Sequence, residues 1–166
     1  MALIATIGAS DANSYVSLSE ANAYFLDRVH SSDWEDFEDK TKVLVTSSQM
    51  LDWYVKWKGT KQTTTQNMLW PRTAAIRRDG TVIDEDTIPS EVKVAVYELA
   101  LSSLEEDRTL DDPLAGIGKL AAGSLMIQAG AEKPNQTNKK ALPEKVYKIL
   151  KDLRLNYGSI VRLLRA

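Results

Sequence analysis

Apolar residues recur at helical spacing in four separate stretches of the chain. The first is announced by Ser17-Leu18-Ser19-Glu20, a serine followed three residues later by a glutamate. In that capping-box pattern each side chain takes the other residue's free backbone N–H, so a helix is predicted from about Leu18. Ala21, Tyr24, Phe25 and Val29 continue it. Residues 30–39 are polar and acidic; Ser32 or Asp33 can cap a short turn through Trp34 and Phe37. Asp39 then stands as N-cap of a helix predicted over about Lys40 to Lys58, with Val43, Leu44, Ser47, Leu51, Tyr54 and Trp57 on one stripe. Gly59 follows as a stop residue, free of the Cβ penalty in the left-handed conformation.

The third stretch opens at Ile88-Pro89-Ser90-Glu91, with Pro89 expected in the first turn, where its missing N–H costs nothing. It carries two apolar stripes. One holds Val92, Ala95, Val96 and Leu99; the other holds Val94, Tyr97, Leu101 and Leu104. A helix apolar on two sides is central or packs at a subunit interface. The fourth stretch starts at Pro143-Glu144. Val146, Ile149, Leu150 and Leu153 face one way and Lys145, Lys148, Lys151 and Arg154 the other, up to a break at Gly158. Between these stretches, residues 60–88 form a long loop with Trp70-Pro71 and an Asp79-Gly80 turn joining Ala75-Ile76 to Val82-Ile83 as a small hairpin. Residues 108–142, with Gly116, Gly118, Gly123 and Gly130, read as an extended arm in which 124–128 can be a strand. The expected fold is mainly α: a small helical bundle with an extended arm or short β-hairpin and a C-terminal helix and tail. The expected division is a helical core over 1–107, the arm over 108–142, and the helix with a docking tail over 143–166.

Length and composition narrow the chemistry. The 166 residues fit one domain. With no cysteine there is no disulfide, Cys-ligated zinc, iron–sulfur cluster or thiol catalysis, and a single histidine, His30, rules out multi-His metal sites. No apolar run is long enough to span a bilayer, and Met1 to Ala5 lack the pattern of a signal peptide, so an intracellular setting without membrane contact is expected. The net charge of −2 hides an asymmetry. Residues 1–131 carry 12 basic and 20 acidic side chains (net −8), and 132–166 carry 9 and 3 (net +6).

Candidate sites are few. Gly116-Ile117-Gly118-Lys119-Leu120 misses the phosphate-loop spacing, and Asp33, Glu35, Asp36, Glu38 and Asp39 miss the EF-hand pattern and read as a solvated face. Asp84-Glu85-Asp86 reads the same way. Nothing places His30 in a triad. No catalytic, cofactor-binding or metal residue is therefore expected. Trp53, Trp57, Lys58, Trp70 and Arg72 interleave aromatics with cations, the pattern that stacks on bases and pairs with phosphates of single-stranded nucleic acid. The competing reading places Tyr54 and Trp57 on the apolar stripe and makes Trp70, before Pro71, a loop anchor. Beyond the Gly158 break, Ile160, Val161, Arg162, Leu163, Leu164 and Arg165 make an apolar, basic segment able to dock in a partner's groove or fold back on its own domain.

Three blocks in order carry a family resemblance: Asn13 to Phe25; Leu69-Trp70-Pro71-Arg72-Thr73 with Arg78-Asp79-Gly80; and Ile88 to Leu101. They resemble tailed-bacteriophage proteins often labelled "DnaT-like single-stranded DNA-binding protein", which are similar to head–tail connector (adaptor) proteins. The likeness spans about Asn13 to Leu104. It implies a non-enzymatic structural protein of the virion head–tail junction. That protein would form a ring, typically of twelve copies, beneath the portal and around the DNA channel, with the portal protein and a tail-side protein as partners. On this reading Ile160 to Arg165 dock on the portal, Val94, Tyr97, Leu101 and Leu104 meet neighbouring subunits, and DNA passes without sequence-specific binding. The alternative is a single-stranded DNA-binding module using Trp53, Trp57, Lys58, Trp70 and Arg72.

Overall fold

The computed structural model describes residues 2–105, 108, 120–122, 125–127 and 142–155. The fold is mainly α. Helix α1 is Leu18–Leu26, α2 Ser32–Asp36, α3 Lys40–Tyr54, α4 Ser90–Glu105 and α5 Glu144–Ile149. Two short antiparallel pairs accompany them: β1 Thr60–Lys61 with β2 Arg72–Thr73, and β3 Leu120–Ala122 with β4 Leu125–Ile127. The strand expected over 124–128 is thus one arm of a hairpin over its described residues.

Helix α1 starts where the capping box puts it. Glu20 N–H donates to Ser17 Oγ at 3.2 Å, and Ser17 N–H donates to Glu20 Oε2 at 2.8 Å. It stops before Val29, which is 76% exposed. Ser31 Oγ shares its proton between the carbonyls of Phe25 (3.0 Å) and Arg28 (2.9 Å), closing off the helix end, and His30 turns the chain at φ +58°. The next cap position is Ser31, ahead of both Ser32 and Asp33, and its side chain does not bond the N-terminus of α2. Asp39 precedes α3 as expected, but its carboxylate pairs with Lys42 Nζ at 2.7 Å instead of a helix N–H. Pro89 lies one residue ahead of α4, its carbonyl accepting from Val92 N–H at 3.0 Å.

The largest departure is the end of α3. It closes at Tyr54, not Lys58, because residues 56–58 turn extended and pair with the chain after α5. Leu155 N–H donates to the Lys56 carbonyl at 2.7 Å, Lys58 N–H donates to the Leu153 carbonyl at 2.9 Å, and Trp57 faces Arg154 across the bridge. Gly59 is consequently not a helix stop. It keeps its left-handed φ of +71° for a different reason: a Cβ there would collide with the Thr73 carbonyl oxygen and stand 2.9 Å from Ala75 N. Helix α5 is shorter than expected, ending at Ile149, well before Gly158.

Helix α4 is the central element, packed against α2, α3 and α5. Its two apolar sides are filled from within the chain. Val92, Ala95, Val96 and Leu99 are fully buried, Tyr97 stacks on Tyr24 at 4.6 Å, and Leu101 is 7% exposed. Val94 and Leu104 are half-buried. Leu142, Val146, Leu150 and Leu153 belong to the same core as Leu44, Leu51 and Leu99, so the boundary drawn at 143 falls inside one hydrophobic cluster. Each such apolar side chain contributes roughly 1.5–3 kcal/mol by leaving water. One carboxylate is buried at this junction. Glu98 accepts from Arg28 Nε and Nη2 (both 2.9 Å), Tyr24 Oη (2.7 Å) and Lys145 Nζ (2.7 Å), tying α1, α4 and α5 together.

Candidate nucleic-acid interface

The aromatic–basic cluster divides at the end of α3. Helical spacing sends Leu51 into the core and leaves Trp53 on the outside, 66% exposed. Trp57 and Trp70 go inward, 4% and 1% exposed, and meet edge to face at 5.8 Å and 82°. The peptide bond between Trp70 and Pro71 is cis. Neither indole can stack on a base, so the anchoring alternative holds for both.

Arg72 is also withdrawn from any phosphate. Its guanidinium donates to the carbonyls of Lys58 (2.7 Å), Leu69 (3.0 Å) and Gly59 (2.6 Å), clipping the loop to the strand after α3. Desolvation lowers its pKa from the ordinary arginine value. Lys58 Nζ donates to the Ile76 carbonyl at 3.2 Å, and its side chain stays half-exposed. Of the five residues proposed to hold DNA, Trp53 and Lys58 remain on the surface; Trp57, Trp70 and Arg72 are structural.

Asp52 fastens this loop to the helices, and spacing gives no hint of it. Its Oδ1 accepts from Tyr15 Oη and from Trp57 Nε1 (3.3 Å), and its Oδ2 accepts from Leu69 N–H (3.0 Å). One carboxylate thus joins the N-terminal segment, α3 and the tryptophan loop. Burial pushes the Asp52 carboxyl above its ordinary value, against the pull of those hydrogen bonds. Burial and the adjacent Asp52 charge raise the Tyr15 hydroxyl further.

The surface gains residues from the returning chain. Arg154 stacks its guanidinium over Tyr147 at 5.2 Å. Burial raises the Tyr147 hydroxyl; Arg154 opposes this and nearby Tyr54 adds to it. Tyr54 and Tyr147 are half-exposed, and Lys56 and Lys151 are exposed. The 56–58 to 153–155 pairing brings Lys56 and the end of α3 to the chain that carries Arg154, with Tyr147 under its guanidinium and Tyr54 near Tyr147; Trp53 lies exposed on α3, one residue before Tyr54. The sequence places Lys151 and Arg154 only on the basic side of a helix and singles out nothing at Tyr147, because nothing in their spacing tells that the chain returns to α3.

Elsewhere the acidic residues Asp33, Glu35, Asp36, Glu38 and Asp39 are exposed, as a solvated face requires, and so are Asp84, Glu85 and Asp86. Among the described residues no group of three or more His, Asp or Glu side chains could hold a metal ion. No described helix is long and apolar enough to cross a membrane. Ile160, Val161, Arg162, Leu163, Leu164 and Arg165, and most of the 108–142 arm, lie outside the described residues.

No curated protein and no solved structure matches the chain. A family model described as "Putative DnaT-like ssDNA binding protein" matches residues 1–166, and the chain belongs to that family.

Proposed function

We propose that the chain binds single-stranded DNA on the surface formed by Trp53, Tyr54, Lys56, Tyr147, Lys151 and Arg154. The family description supports this reading. The observation that carries it is the exposed indole of Trp53 at the end of α3, on the segment whose next residues pair with the chain bearing Arg154. Base–aromatic stacking contributes about 1–3 kcal/mol per base and tolerates any sequence, while lysine and arginine follow the phosphates. The acidic face around residues 33–39 would repel the backbone and confine the strand to the basic side. The test is fluorescence anisotropy of a labelled oligonucleotide at two salt concentrations. Affinity should fall steeply with salt and drop about tenfold in Trp53→Ala. Equal binding by Trp53→Ala would remove this surface from the proposal.

A second reading is favoured by Leu26 and Val29, 81% and 76% exposed at the end of α1, a surface that DNA binding leaves unused. Identical copies could bury it in a heterologous contact that closes into a ring. In that case the protein is the structural, non-enzymatic connector of a tailed bacteriophage, a ring of about twelve copies between portal protein and tail-side protein at the virion head–tail junction. Tyr97 and Leu101 are packed within the chain, so Val94 and Leu104 remain as interface residues on α4. Electron microscopy of the protein with its portal should show the ring, and Leu26→Asp should abolish it. A chain that stays monomeric beside the portal would contradict this reading.

A further inference from the structure

The hairpin over residues 75–83 is built the wrong way round for a surface that meets only water. Arg77 N–H donates to the Thr81 carbonyl at 2.8 Å, and Ile83 N–H donates to the Ala75 carbonyl at 2.9 Å. Ile76 and Val82 therefore face each other as the pair without mutual hydrogen bonds, the one whose side chains stand closest, on one face. The other face is turned inward: Ala75 and Ile83 are 0% and 5% exposed, and Arg77 pairs with Glu91 at 2.7 Å. A half-solvated hairpin alternates apolar inside with polar outside. Here the outer pair is apolar, with Ile76 46% and Val82 68% exposed. Around it the sequence is acidic: residues 78–87 hold Arg78 against Asp79, Asp84, Glu85 and Asp86.

Residues 160–165, Ile-Val-Arg-Leu-Leu-Arg, have the complementary chemistry, with four apolar side chains and two arginines. They are also within reach. The described chain leaves the core at Leu155, bonded to the Lys56 carbonyl; two residues on, Lys58 Nζ bonds the Ile76 carbonyl. Two residues of backbone and one lysine side chain bound the gap at roughly 20 Å; five residue steps carry Ile160 up to about 17 Å from Leu155, and eight carry Leu163 to about 26–29 Å.

We propose that residues 160–165 dock on the Ile76–Val82 face of the same chain, with Arg162 and Arg165 against the acids that flank the hairpin. The surface is separate from Trp53 and independent of the DNA-binding reading. A partner that claims this segment, a portal protein included, has to displace it from the hairpin first.

The chain has no cysteine, so a two-site crosslink is unambiguous. Arg78→Cys and Ser159→Cys are introduced together in the full chain and joined with a short bis-maleimide. The expected product is an intrachain link at monomer mass. Its yield should fall at least fivefold in Ile76→Asp/Val82→Asp, with unchanged circular dichroism. It should also fall in Arg162→Glu/Arg165→Glu, which leaves the hairpin intact whatever the first variant does. Interchain dimers as the main product would replace this proposal with docking on a second copy. A yield that neither variant lowers, or no link at all, would overturn it.

Discussion

Two residues show how much of this fold hangs on single groups. Gly59 holds a left-handed φ in a place where any Cβ meets the Thr73 backbone. Gly59→Ala should cost at least about 1–3 kcal/mol, read as a lower urea midpoint at unchanged slope. Glu98 is a buried carboxylate with four charge-assisted or hydroxyl donors. Although burial opposes its ionisation, Arg28, Lys145 and Tyr24 hold its pKa down at about 2, below the ordinary 4.5. A carboxyl with a depressed folded pKa stabilises the protein above its ordinary pKa, and loses that contribution as pH falls through the folded one. Stability supplied by Glu98 should thus be complete above pH 4.5 and fade toward pH 2. Asp52 acts in the opposite sense: its raised pKa makes ionisation favour the unfolded chain. Glu98→Gln should lower stability by about 1–3 kcal/mol near neutrality, because the buried site loses the charge that the half-buried Arg28 and the more exposed Lys145 pair with. It should also flatten the acid limb of a stability–pH profile by denaturant titration. An unchanged acid limb would show that Glu98 does not set it.

At the scale of elements, the local code was legible where one segment decides the outcome. The Ser17–Glu20 box set the start of α1, the Asp79-Gly80 turn set the hairpin, and two-sided periodicity marked α4 as central. What depended on distant segments was not legible. The end of α3 is decided by residues 153–155, which draw residues 56–58 into an extended pairing, so a stripe running to Trp57 overshot the helix. The same return of the chain supplies Tyr147 and Arg154 to the candidate interface. Arg72 reads as a surface cation in sequence, yet three loop carbonyls need it. Arg72→Lys, which keeps charge but cannot span those carbonyls, should lower the melting temperature by several degrees and leave DNA affinity per folded molecule unchanged. Short α5 is held by what it buries, not by its own length. Leu150→Ala should cost about 2–5 kcal/mol by emptying a fully buried site.

For the whole molecule, the charge asymmetry takes on a spatial sense. The acidic stretch 33–39 is solvated, and the chain after α5, which carries Arg154, pairs with the residues that follow α3. A weakly acidic protein can in this way offer a local basic strip to a polyanion, at a net charge that would argue against binding. The four tryptophans make that claim directly measurable. Trp34, Trp57 and Trp70 are 2%, 4% and 1% exposed, and only Trp53 can touch a ligand. Titrating the protein with a single-stranded oligonucleotide at low salt, while following tryptophan emission, therefore reads one residue. Saturable quenching is expected, reversed in about 0.5 M salt as phosphate contacts are lost, and abolished in Trp53→Phe without a change in fold. Emission that stays constant as oligonucleotide is added, or quenching that survives in Trp53→Phe, would contradict it.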